Sequence, residues 1–116
     1  MPGSDKLPSH AAMAWPTLIA IRRAGGSATN SEIMEAVAND LELNEQQRTL
    51  TRTPKSARKL LDYRLAWSRT LLKNMGAITN DAPCHWSITD IGRRTTYDDV
   101  QQFIKLMLDR LSKKGD

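Results

Sequence analysis

The sequence predicts a mainly α domain with a small β-hairpin: a winged helix-turn-helix followed by a C-terminal amphipathic helix. Three observations predict it. The capping and apolar patterns read, in order, helix, short extended piece, helix, helix, hairpin, helix, which is the winged helix-turn-helix order. Positive charge gathers on one stretch, Arg48 to Lys73, which holds eight basic residues and one acid, Asp62; it carries +7 in a chain whose net charge is +4. Finally, residues 97–112 repeat apolar side chains at helical spacing.

Taking the elements in order, residues 1–10 carry Pro2, Gly3, Ser4, Pro8 and Ser9 and read as a flexible tail. The winged domain is expected over 11–96. Its first helix starts near Ala11 to Trp15 with Pro16 in the first turn, where a missing N–H costs nothing, and Gly25-Gly26 ends it. Thr29 and Glu32 have the spacing of a capping box. The second helix then runs to about Leu41, with Ile33, Met34, Val37 and Ala38 facing the core. This helix and its exit carry Glu32, Glu35, Asp40, Glu42 and Glu45 and no base, so they form the acidic side of the molecule. Asn44 caps a short helix to Leu50.

The third helix is expected over about 56–75, closed by Gly76. Ala77 to Thr79 and Cys84 to Ile88 flank Asn80-Asp81-Ala82-Pro83 as a hairpin with a four-residue connection, with Ile78, Trp86 and Ile88 inward. Thr89 caps a short helical turn, Asp90 to Arg94. The last element, 97–116, is a helix striped by Val100, Phe103, Ile104, Met107, Leu108 and Leu111.

On a wheel at about 100° per residue, Leu60, Leu61, Leu65, Trp67, Ser68, Leu71, Leu72 and Met75 share one arc of the third helix. Trp67 is therefore expected in the core. Asp62, Tyr63, Ala66, Arg69, Thr70, Lys73 and Asn74 share the other arc. That arc suits a DNA major groove: cations for phosphate or guanine, hydrogen-bonding side chains, and an alanine small enough for a thymine methyl. Arg58 and Lys59 stand at the helix N-terminal end, and Arg48, Arg52 and Lys55 form an approach segment for phosphate. The expected DNA contacts are thus Arg48, Arg52, Lys55, Arg58, Lys59, Tyr63, Ala66, Arg69, Thr70 and Lys73. Arg64 falls in the apolar arc, with its stem on the core and its guanidinium paired to an acid. The hairpin connection carries an acid and no base, which argues against insertion of this wing into a groove.

Other classes of function find little here. Cys84 is the single cysteine, so there is neither an intrachain disulfide nor a thiolate cluster for zinc. Cys84 and His85 are neighbours on a strand and point to opposite faces, so they do not chelate one metal. No HExxH, P-loop, GxSxG or GxGxxG is present. The expectation is a protein that is not an enzyme, with no cofactor, no metal and no small-molecule substrate. No apolar run reaches the ~18 residues of a membrane span, and a secretory leader is not evident, so a cytoplasmic, nucleoid-associated location is expected. A pI near 9.5 favours acidic partners.

The run Arg64-Leu65-Ala66-Trp67-Ser68-Arg69-Thr70-Leu71-Leu72-Lys73-Asn74-Met75-Gly76-Ala77-Ile78 resembles the N-terminal domain of the Mrr restriction-system proteins, which share an R-φ-x-W-A-R-T-x-L-K-x-x-G-φ-φ pattern. Similar pieces lie upstream (Pro16-Thr17-Leu18, Glu32-Ile33, Leu41 to Glu45) and downstream (Trp86 to Arg93). The resemblance spans about residues 15–95. It implies a winged-helix fold that binds DNA, joined in that family to a nuclease that cleaves modified DNA. This chain shows no PD-(D/E)xK-type arrangement, so the resemblance implies binding rather than cleavage.

Two readings of function stand at this point. One is a double-stranded-DNA-binding protein, a regulator or the recognition module of a restriction-like system, forming a homodimer through its C-terminal helix. That helix folding back on the first helix is the alternative to the dimer. The other reading is a protein–protein interaction module whose basic face grips an acidic partner.

Overall fold

A computed structural model describes residues 7–51 and 59–114, with side chains to 111. Among these residues the chain is mainly α with a small antiparallel sheet, as the sequence predicts. The elements are α1 (His10–Arg23), β1 (Ser27–Thr29), α2 (Asn30–Asp40), α3 (Glu45–Thr49), α4 (Leu60–Asn74), β2 (Ile78–Ala82), β3 (His85–Ile88), α5 (Asp90–Arg94) and α6 (Tyr97–Lys114).

The fold grows from α1, which is longer than expected. Ser9 caps it by accepting from the Ala12 N–H at 3.1 Å, so Pro16 sits inside the helix rather than in its first turn. Residues Leu7–His10 also leave the expected tail. Leu7 is only 8% exposed and belongs to the core. Its carbonyl and that of Pro8 accept from Arg64 Nη1 at 2.7 and 3.0 Å, while the Ser68 hydroxyl donates to the His10 carbonyl at 2.6 Å. The chain entry is thus fastened to α4 by side chains 56 to 58 positions away.

At the other end of α1, Gly26 takes φ +104°, a left-handed conformation that glycine adopts without strain. Its N–H donates to Ile21 O at 3.0 Å, and its carbonyl accepts from Ile88 N at 2.7 Å. This turn therefore ends the helix and starts the sheet. The strand order is β1–β3–β2, all antiparallel, with Ala28 opposite Trp86 and Ile78 opposite Ile88. The short extended piece of the sequence is thus a full partner of the hairpin.

The hairpin is tighter than expected. β2 runs through Asn80 and Asp81 to Ala82, with a register irregularity between Asn80 and Ala82, and the turn falls at Pro83-Cys84, where Cys84 has φ +59°. Asn80 Nδ2 stabilises the irregularity by donating to the Ala82 and His85 carbonyls, both at 2.8 Å. Of the side chains expected inward, Ile78 is buried while Trp86 and Ile88 are partly covered.

The predicted caps form. Thr29 accepts from Glu32 N at 3.1 Å and Glu32 accepts from Thr29 N at 2.8 Å, which also holds the Glu32 carboxyl below the usual carboxylate range. Asn44 and Gln47 repeat this arrangement on α3, and Thr89 Oγ1 accepts from Gly92 N on α5 at 3.0 Å. The core joins Met13, Leu18 and Ile21 of α1 to Ile33 and Val37 of α2, Leu61, Leu65 and Leu72 of α4, Ile78 and Val100. α5 packs so close that a Cβ on Gly92 would meet the Ala77 carbonyl oxygen at 2.0 Å.

α6 divides its stripe. Val100 and Ile104 are buried and Phe103 and Met107 are packed against the core, and Tyr97 meets Trp15 of α1 edge-on at 6.0 Å. Leu108 and Leu111 continue the same stripe but are 60% and 62% exposed. The first turns fold back on α1, and the last turns of the stripe lie open.

Candidate nucleic-acid interface

α4 carries the candidate surface. Leucines at 60, 61, 65, 71 and 72 favour a helix and give it one buried side. The described helix starts at Leu60, and the expected start near 56 lies outside the described residues. Thr51 and Lys59 form an antiparallel bridge, and Leu60 N donates to Leu50 O at 2.7 Å, so the backbone is still extended at Lys59. Gly76, at φ +84°, closes the far end, and Lys73 in the last turn is favoured by the helix dipole.

The outer arc of α4 consists of Lys59, Asp62, Tyr63, Ala66, Trp67, Thr70, Lys73 and Asn74; Lys59, Trp67, Thr70, Lys73 and Asn74 are exposed, and Asp62, Tyr63 and Ala66 are partly covered. Lys59 and Lys73 stand at the two ends. Fourteen positions separate them, about 21 Å at ~1.5 Å per residue. The middle holds no cation.

Trp67 reverses the expectation that it would lie in the core: it is 48% exposed. The inner side of α4 at this level is taken by Arg64 and Ser68, which bind the carbonyls of residues 7, 8 and 10, and this leaves the indole on the rim. There it lies beside the His10 ring, centroids 6.1 Å apart at 44°. Sequence reasoning therefore missed Trp67 and His10 at this surface. The wheel held the signal, since Trp67 is only about 40° from Tyr63.

Arg69 reverses in the opposite sense. Placed by the wheel on the groove side, it is 5% exposed, with its guanidinium 5.6 Å from the centre of the Trp86 ring. It braces α4 against the hairpin and offers no cation to solvent.

Arg48 is also otherwise engaged. Its Nε donates to Leu43 O and its Nη2 to Asn39 Oδ1, both at 3.0 Å, and its Nη1 lies 3.7 Å from Glu35. These contacts tie α3 to the acidic α2. Arg64 is structural, as expected, but its partners are the two N-terminal carbonyls rather than an acid. Arg52, Lys55 and Arg58 lie outside the described residues. Lys59, Tyr63, Ala66, Thr70 and Lys73 share one face.

The end of β2 next to the hairpin turn is acidic. Asp81 accepts from the Ser87 hydroxyl at 2.8 Å and lies 3.1 Å from His85 Nδ1. The Ser87 bond is the main cause holding the Asp81 carboxyl below its usual range, with His85 adding to it. No group of three or more metal-ligating side chains exists among the described residues, and no helix there is long and apolar enough to cross a membrane.

These features define a mainly α domain on a three-stranded antiparallel sheet, with one solvent-facing helix that bears a lysine at each end. A family model for the Mrr N-terminal domain matches residues 11–97, about three quarters of the chain. The chain belongs to that family of restriction-system-associated domains. No curated protein and no solved structure matches it.

Proposed function

We propose that this chain is a double-stranded-DNA-binding domain of the winged helix-turn-helix kind, serving as the recognition module of a restriction-like system. The observation that carries the reading is the outer face of α4, with Lys59 and Lys73 at its ends and groove-sized polar and apolar side chains between them. A major groove about 12 Å wide is bordered by phosphates on both sides, so two cations about 21 Å apart on a helix lying in it meet opposite backbones. Order of elements and family membership support the same reading. The domain carries no catalytic step of its own. It works in the cytoplasm at the nucleoid, as a homodimer joined through the open end of the α6 stripe, where Leu108 and Leu111 await a second copy.

A fluorescence-anisotropy titration of a random duplex against salt tests this. With Arg52, Lys55, Arg58, Lys59 and Lys73 each neutralising one phosphate, log affinity falls against log salt with a slope of about −4.5 per protomer. A flat slope, or no binding at low salt, refutes the DNA reading. It would favour docking to an acidic protein, which one feature supports: the exposed end of the hairpin, residues 80–83, carries Asp81 and no lysine or arginine.

A further inference from the structure

Resting on the DNA-binding reading, we propose that the recess formed by Tyr63, Ala66, Trp67 and Thr70 is a base-reading site that takes the C5-methyl group of a thymine in the major groove. The recess is open to solvent and has a volume of about 250 Å³. It occupies the middle of the α4 face, midway between the two lysines that bracket it. Its chemistry is apolar where the rest of the face is polar. The Ala66 side chain is short enough to leave room. The Thr70 hydroxyl donates its proton to the Ala66 carbonyl at 3.0 Å and has none left to offer a base. The indole forms one wall and is itself backed by the His10 ring.

The flanking charge selects the occupant. An apolar peptide gains nothing from lysines at both ends of its site, whereas a polyanion does. Within a duplex the base faces are stacked and unavailable, so a helix in the groove meets base edges only. Of those edges the thymine methyl is the apolar one, and it matches the ring faces and the Ala66 methyl that make up most of the recess. Backbone contacts by Lys59 and Lys73 set the helix depth, and the recess adds a preference for A·T pairs at its level.

The test compares a 20-base-pair alternating A·T duplex with the same duplex carrying deoxyuridine for every thymidine, which removes the methyl groups alone. The wild-type domain binds the thymine duplex more tightly, by about 4-fold for each methyl buried. In Trp67→Ala the ratio between the two duplexes drops to near one while the salt slope stays at the wild-type value. Ala66→Gln, which fills the recess with a good helix former, does the same and covers the case in which Trp67→Ala folds poorly. Lys73→Ala lowers affinity for both duplexes by one factor. Equal wild-type binding to the two duplexes, with a normal salt slope, overturns the recess assignment and leaves the DNA reading standing. Absence of binding to either duplex overturns both.

Discussion

Replacing Lys59 and Lys73 together by alanine separates the DNA face from the rest of the basic stretch. Both ammonium groups are exposed, and both lie on the arc of α4 that the core leaves open. Each phosphate neutralised contributes about 0.9 to the salt slope, so loss of two changes it from about −4.5 to about −2.7. The wild-type and variant lines meet near 1 M salt, where the counterion term vanishes. At 0.1 M the same two contacts are therefore worth about 60-fold in affinity. The matched control is Arg69→Met. Arg69 is nine-tenths buried beneath Trp86, so its removal weakens packing and lowers stability by about 1–3 kcal/mol, yet leaves the slope unchanged. Anisotropy titrations at four salt concentrations, each with a melting curve, read both quantities. If the lysine variant keeps the wild-type slope while Arg69→Met flattens it, the assignment of the α4 outer face is wrong.

Gly92→Ala places a methyl group 2.0 Å from the Ala77 carbonyl oxygen and 2.7 Å from Ile88 Cγ1. α5 must then shift, straining the Thr89 N–Ala77 O bond and the Arg22 bonds to the Gly92 and Thr95 carbonyls; a loss of about 3 kcal/mol is expected in urea melts, and a loss under 1 would show that α5 is free to adjust. The depressed Asp81 carboxyl stabilises the fold above the unfolded carboxylate range, and this contribution disappears as pH falls through the lower folded value; Asp81→Asn should flatten the acid limb of a stability profile below about pH 5, and an unaltered limb would remove Asp81 as a contributor. If the proposed dimer joins through α6, Leu108→Gln with Leu111→Gln should halve the mass in sedimentation without loss of helicity, and an unchanged mass would remove this end of α6 as the contact.

Features written in short-range chemistry were legible in the sequence. Thr29 with Glu32 needs only four residues to announce a helix start, Asn44 marks another as a cap, and the α6 stripe repeats on one element. Features decided by distant partners were not. Trp67 looks like a core residue because tryptophan is large and apolar, but the N-terminal segment competes for the inner side of α4 through Arg64 and Ser68 and displaces it. Arg69 looks like a surface cation because arginine is charged, but Trp86, on a strand beyond the next turn, covers it. The start of α4 depends on the pairing of Thr51 with Lys59, a contact that neither residue signals. At the candidate site, Tyr63, Ala66, Thr70 and Lys73 were readable from periodicity, since periodicity fixes which residues share a side, and Lys59 from its place at the helix start. It does not fix where that side stops, and the errors fell at its two borders.

The fastening of Leu7, Pro8 and His10 to Arg64 and Ser68 makes α4 a lever with a handle at the chain entry. One side of this helix holds three backbone carbonyls; the other is the exposed face with Lys59 and Lys73 at its ends. A change at residues 7–10 acts directly on the Arg64 and Ser68 side chains of α4. Amide exchange in α4 should therefore respond to changes at the chain entry before it responds to changes in α2, which lies nearer in sequence.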